Sequence, residues 1–319
     1  GIDAARPDTV AGRATVVTDP TRFGTGTSAV IRVDGTRYLA SGWGRVGAAL
    51  QRTSAGDRID VEGSTSPYVA RRARLASLHT GTRLALTKAQ PTGSTAALWH
   101  IANGVRRHLV DGAEHLSPER RALFTGIVYG DDRGQDDLLA SDFRLAGLTH
   151  LLAVSGQNVA YVLLIARPLL ERLRLHHRWI ATLAVLTVFA TVTRFEPSVL
   201  RATAMAGLAV TARLVGRDGS AGRLLAAAVT LLLLIDPLLA HTVAFRLSVA
   251  ASAGIVWLQP LVEPAWIRWR WLRESLGVTV AAQLAVAPIL VSTFGPVSLV
   301  SIPANVAAAP VAGATMAWG

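Results

Sequence analysis

Two rhythms of hydrophobic and polar positions divide the chain. Between residues 9 and 88 the apolar residues come in short runs broken by turn residues: TVAGRATVV, SAVIRV, TRYLA and RIDVEG. In the last of these, Ile59 and Val61 alternate with Arg58, Asp60 and Glu62, the period-two pattern of a strand with one buried face. Asp34-Gly35, between SAVIRV and TRYLA, is the dipeptide of a two-residue hairpin turn. RARLASLHTGTRLALT supplies the last strand or strands. About five short strands over residues 1–92 predict a small all-β barrel of the OB type. A β-sandwich is the alternative, and periodicity does not separate the two.

Residues 93–147 change to helical spacing. Leu98, Ile101, Val105 and Leu109 recur at intervals of three and four, with Arg106, Arg107 and His108 near the end. This predicts an amphipathic linker helix suited to a membrane surface. Ser117-Pro118 has the form of an N-cap followed by a first-turn proline. Asp131, Asp132, Asp136 and Asp137 read as a solvated turn rather than a metal site.

From 148 to 319 long apolar stretches take over, near 148–170, 179–193, 199–215, 224–240, 243–262, 276–294 and 297–319. Several are shorter than the ~20 residues of a simple span. The pattern predicts a polytopic α-helical membrane domain with short or interrupted helices, which lipid tolerates where neighbouring protein shields them. Arginine clusters fall in alternate connections: Arg172, Arg174 and Arg178, then Arg213, Arg217 and Arg223, then Arg268, Arg270 and Arg273. By the positive-inside rule these connections are cytoplasmic, which puts the preceding β domain outside. No signal peptide is visible, and the chain ends within an apolar run, as expected of an internal fragment.

Composition sharpens this picture only in places. Charged residues make up 17% of the chain, against about 25% in soluble domains. The net charge of +11 comes almost wholly from arginine. It fits positive-inside loops in an arginine-rich chain, and it also fits a polyanionic partner. With no cysteine, disulfides, thiolate chemistry and cysteine-based zinc sites are excluded.

Candidate chemistry lies where polar residues break apolar runs. In GLTHLLAVSGQNVAYV the break is Ser155, Gly156, Gln157 and Asn158. Polar groups inside a membrane segment face a bundle interior or a watery path, although small residues such as Ser155 and Gly156 also allow close helix contact. Similar interruptions are Ser198 and Arg201 after Glu196-Pro197, Asp236-Pro237, Arg246 with Ser248, Gln283, and Asn305. Their spread over five segments suggests a polar path. In the β domain, Phe23, Tyr38 and Trp43 with Arg32, Arg37 and Arg45 have the composition of a single-strand-binding groove. The same residues also suit barrel filling and a solvated outer surface. A Ser155–His241 pair would suit an intramembrane serine protease only with a base in reach of the hydroxyl. His176 and His177 lie about 100° apart on a helix, too divergent for one metal. No catalytic residue, cofactor or metal is expected.

GLTHLLAVSGQNVA resembles the signature of the ComEC family of competence proteins. Further blocks follow in family-like order: PSVLRATAM, IDPLLAHTVAFRLSVAASAG, and TVAAQLAVAPILVSTFGPVSLVSIPANVAAAP. GDRIDVEG at 56–63 resembles a strand of that family's OB-like domain. The resemblance implies a bacterial inner-membrane channel that passes single-stranded DNA to the cytoplasm, with the OB-like head outside. Its implied partners are single-stranded DNA, membrane lipid, other competence proteins, and a carboxy-terminal metallo-β-lactamase-like domain of the same protein. The motifs place His150, Ser155, Gly156, Pro197, Ser198, Arg201, Asp236, Pro237, Ser248, Gln283 and Asn305 among the candidate path residues. Many members read Leu-His where this chain has Gln157-Asn158, so a histidine role there does not carry over. This chain lacks the HxHxDH cluster of a metallo-β-lactamase-like domain, and no nuclease activity is expected of it alone. The alternative function is a small-solute transporter with a protein-binding head.

Overall fold

The structure, a computed structural model, describes residues 9–68, 75, 77–93, 96–146, 148, 154–264, 266–295, 303–304 and 307–308. The chain forms two compact units, Gly1–His108 and Leu109–Gly319.

The first unit is built on β1 (Thr9–Val16), β2 (Thr21–Phe23), β3 (Gly26–Val33), β4 (Thr36–Trp43), β5 (Arg58–Pro67) and β6 (Thr82–Gly93). Neighbours run β1-β5-β6-β4-β3, and β1 pairs back onto β3, so five strands close into a barrel. The short β2 adds to the outer side of β3. Every pairing is antiparallel except β4 with β6. A parallel pair needs a long crossover, which here carries α1 (Gly44–Gln51) and β5. This is the Greek-key arrangement of an OB-type barrel. Alternation sends Val16, Ile31, Ile59 and Leu84 inward, where Leu50 of α1 plugs the same core. Asp34 and Gly35 both take positive φ, as the β3–β4 hairpin requires.

Tyr38 belongs to that core, with 5% exposure, because it shares an inward face of β4 with Ala40. Its ring fills the barrel and offers no platform to a ligand.

The linker helix, α2 (Ala97–Gly112), exists, but its buried face is not the apolar one. Ala102, Asn103 and Arg106 are buried, whereas Ile101 and Val105 are exposed. The barrel explains the inversion. Arg106 pairs with Asp19 at 3.0 Å, each side chain about nine-tenths buried, and Asn103 Nδ2 donates to the Ala55 carbonyl at 3.2 Å. Trp99 covers Gly56, where an added Cβ would sit 2.4 Å from the indole.

The second unit is helical: α3 (Pro118–Tyr129), α4 (Asp137–Leu145), α5 (Gly156–Leu170), α6 (Leu175–Val192), α7 (Pro197–Leu214), α8 (Ala221–Ile235), a 3-10 turn (Pro237–His241), α9 (Val243–Trp257), α10 (Gln259–Val262) and α11 (Arg270–Phe294). Among the described residues, α6 and α11 are long and apolar enough to cross a membrane; α8 and α9 are apolar but shorter. The interruptions have local causes. Ser155 caps α5, which begins at Gly156, inside the apolar stretch 148–170. Asp236 ends α8 and its carboxylate accepts from the Leu238 amide at 3.1 Å, starting the 3-10 turn. Pro260, which has no N–H, sits in the first turn of α10 where the stretch 243–262 divides. Most of 297–319 lies outside the described residues.

Hydroxyls within these helices are satisfied locally. Thr182, Thr187, Thr191, Thr203 and Thr211 each donate to the carbonyl four residues back. Such bonds let threonine sit in an apolar helix without an orphaned donor. Helices α9 and α11 approach through small residues, and a Cβ on Gly254 would fall 2.5 Å from the Ala281 carbonyl oxygen.

Candidate functional site

In the helical unit the polar break of α5 meets α3 and α7. Ser155 takes an extended conformation, and its Oγ accepts from the Gln157 amide while donating to Asn158 Oδ1, both at 3.3 Å. Asn158 is buried, and its amide donates to the Ile127 carbonyl at 2.7 Å in the last turn of α3. It thereby satisfies a carbonyl left without a partner at a helix end. Ser198, in the first turn of α7, donates to the Val154 carbonyl at 2.7 Å. Two of the polar side chains thus fasten the start of α5 to its neighbours. Gln157 is exposed and donates to the Tyr161 hydroxyl at 2.9 Å.

Arg201 lies beside this junction, one turn into α7. Its Nε donates to Ser248 Oγ of α9 at 2.9 Å, and Nη1 donates to Met205 Sδ at 3.3 Å. Nη2 sits 2.8 Å from the place a Cβ on Gly156 would take. Only a glycine leaves the guanidinium that space. Among the described residues Arg201 makes no ion pair, with Glu196, Asp236 or any other acid. A neutral hydroxyl and a thioether position the charge without cancelling it. An anion is the natural complement of such a group.

Burial and the nearby Asp132 charge raise the pKa of Glu196, which lies in the connection before α7. Both effects disfavour a carboxylate at that position.

The remaining path candidates do not join this cluster. Arg246 is exposed on α9, and Gln283 is half-buried on α11. His150 and Asn305 lie outside the described residues. The Ser155 hydroxyl is engaged by Asn158, and no bond joins it to His241 among the described residues. That geometry gives a serine nucleophile no base.

The barrel carries a second cluster. Phe23, ending β2, and Trp43, ending β4, meet edge to face with centroids 5.8 Å apart and planes at 83°. They are 43% and 48% exposed. Gly26 lies beneath them, where a Cβ would be 2.8 Å from both rings. Beside the pair is a hollow of 470 Å³ whose lining includes Arg22, Gly24, Gly44, Gln51 and Arg52. Arg45 is exposed in the first turn of α1. Arg32 and Arg37 face each other across the hairpin at its turn end, about 20 Å from the aromatic pair at roughly 3.4 Å per residue. The sequence-derived set therefore divides between two ends of one hairpin. Arg22 and Arg52 escaped the sequence reading; the run Thr21-Arg22-Phe23 beside Gly24-Thr25-Gly26 was the available signal.

A family model described as "Competence protein" matches residues 127–319, which include the whole Arg201 cluster. The chain is 26% identical over 213 residues to ComE operon protein 3 of Bacillus subtilis (strain 168), covering 65% of this chain and 26% of that protein. It is 27% identical over 206 residues to Uncharacterized protein YcaI of Escherichia coli (strain K12), covering 59% of this chain and 27% of that protein. The chain thus spans about a quarter of the length of each of these relatives. With a family model matching well over half of its residues, the chain belongs to the ComEC family of competence proteins.

Proposed function

We propose that this chain forms part of an inner-membrane channel for the uptake of single-stranded DNA, the barrel receiving the strand outside the cytoplasm and the helices conducting it inward. The observation that carries the reading is Arg201, held by Ser248 and Met205 and paired with no acid among the described residues. An arginine in an apolar helix costs at least ~2.5 kcal/mol on insertion scales, so an unpaired one needs a function to offset that cost. A phosphodiester backbone supplies one anion per nucleotide, and a lone guanidinium holds each phosphate loosely enough to release it. The Phe23–Trp43 pair fits the same ligand, because unstacked bases offer aromatic faces of any sequence. Membership of a competence family and the likeness to ComE operon protein 3 point to the same process. In this reading the helical unit is polytopic, its arginine-rich connections are cytoplasmic, and the chain is not itself an enzyme. Other competence proteins and a metallo-β-lactamase-like domain act with it.

Arg201→Gln tests the proposal, since it keeps donors for Ser248 and removes the charge. Expressed in the full-length protein of a transformable host, the variant should accumulate in the membrane at normal levels while DNA entry falls at least ~10-fold. Normal transformation at normal abundance would sink the reading. Loss of the protein by degradation would instead make Arg201 a structural residue.

A further inference from the structure

Four of the eight tryptophans fall between Trp257 and Trp271, in WLQPLVEPAWIRWRW. This segment joins α9, through α10, to α11, and its Trp266, Trp269 and Trp271 side chains are exposed. Trp266 is 84%, Trp269 66% and Trp271 60% exposed, and the rings of Trp269 and Trp271 stack at 6.5 Å. Leu261 is also exposed. So much exposed aromatic surface is costly in water and marks a site that meets something apolar.

The charges limit what that can be. Arg270 pairs with Glu274 and Arg273 with Glu263. Arg268 has no ion pair among the described residues and is exposed. Three arginines against two glutamates leave one net positive charge, too little for a polyanion but suited to a surface carrying both signs. Position adds to this. From Leu276 to Phe294, α11 provides about 28 Å of apolar helix at roughly 1.5 Å per residue, close to a hydrocarbon thickness of about 30 Å. Trp271 then lies about 7 Å beyond the hydrocarbon edge, within the headgroup layer. Tryptophan prefers that layer because its ring is apolar and its N–H is not.

We propose that Trp257–Arg273 is an interfacial collar seated in the lipid headgroup layer, with the Trp266, Trp269 and Trp271 rings among the headgroups and Arg268 on the phosphate of an anionic lipid. The collar fixes the depth of α11 and, through Gly254, of the α9 packed against it. This rests on the reading of α11 as a membrane span.

The chain has no cysteine, so single reporters can be placed without background. The full chain, carrying Trp269→Cys or Leu284→Cys labelled with an environment-sensitive fluorophore, is reconstituted in phosphatidylcholine–phosphatidylglycerol vesicles. Nitroxides on the headgroup or deep in the acyl chain serve as quenchers. The probe at 269 should be quenched about threefold more by the headgroup nitroxide, and the probe at 284 more by the deep one. If the probe at 284 is quenched by neither, the membrane reading itself fails. If 284 is deep while 269 responds only to aqueous iodide, the collar fails alone. Shielding of 269 by a single-stranded oligonucleotide in place of lipid would make the segment a nucleic-acid contact and overturn the proposal. Arg268→Gln should remove the extra headgroup quenching at 269 that phosphatidylglycerol gives over phosphatidylcholine alone; an unchanged difference would remove Arg268 from the site.

Discussion

Gly156 shows how closely the α5–α7 junction is fitted around one charge. A methyl group there would meet Arg201 Nη2 at 2.8 Å and the Ala202 Cβ at 3.1 Å. The first contact is the end of a flexible side chain, so it can be relieved by moving the guanidinium off Ser248. Gly156→Ala should therefore cost less than ~2 kcal/mol of stability, the helical gain of alanine offsetting part of the crowding. DNA entry should nevertheless fall, because the charge has been displaced. Thermal unfolding in detergent alongside a transformation assay checks both halves; unaltered entry would show that the position of Arg201 is immaterial. Glu196 gives a pH dependence with a definite sign. Its pKa is raised in the fold by burial and by Asp132, so the protonated form is favoured there. Its contribution to stability is complete below the ordinary carboxylate value of 4.5 and is lost as pH rises from there through the raised value. Glu196→Gln should remove that loss, leaving the variant more stable than the parent near neutral pH and less different in acid. Melting temperatures across that range that run in parallel for the two proteins would contradict the assignment.

Helix α2 is the element in which sequence pattern and packing diverge most. Its length was legible, because apolar residues recur at helical spacing from Leu98 to Leu109. Its docking face was not, because the deciding partners, Asp19 and the Ala55 carbonyl, lie far away in sequence. A buried ion pair broken on one side leaves an uncompensated charge. Arg106→Ala should thus destabilise a fragment comprising residues 1–112 by about 3–5 kcal/mol, with Asp19→Asn in the same chain recovering part of the loss. A fragment ending at residue 92 lacks the helix and should unfold at lower urea than one ending at 112; coincident urea curves would make the docking incidental. The hairpin of β3 and β4 was readable for the opposite reason, since Asp34-Gly35 and the alternation around it are local signals. Tyr38 lay within reach of the same alternation, on the inward side with Ala40, but its chemistry resembled that of a stacking platform. The break at Ser155–Asn158 stood out in the sequence. Its use in fastening α5 to α3 and α7 depends on carbonyls at Ile127 and on Ser198, which no local pattern reveals.

Taken as a whole, the chain joins a water-exposed barrel to apolar helices, and the barrel is where affinity can be measured most simply. Residues 1–112 should bind single-stranded DNA weakly and without sequence preference. Phe23→Ala or Trp43→Ala should each cost about 1–3 kcal/mol, the range for loss of one base–aromatic stack. Neutralising Arg22, Arg45 and Arg52 together should flatten the salt dependence by about two units of the log–log slope. Fluorescence anisotropy at several salt concentrations measures both, and no binding at low salt would reassign the barrel to protein contacts. Closure of the barrel has a consequence for ligand choice. Extended polypeptides commonly bind to β domains by adding a strand to an open edge, with main-chain bonds supplying most of the affinity. Here the five strands pair in a ring, and the three residues of β2 form a short addition to β3. An added peptide strand is therefore limited to stretches such as β1 before Ala14 and β6 after Ala85, which lack a second neighbour in the ring. A chain without peptide groups loses nothing by this, since rings and guanidinium groups can hold it. The barrel's topology thus confines polypeptide pairing to those stretches before any side chain has read the ligand.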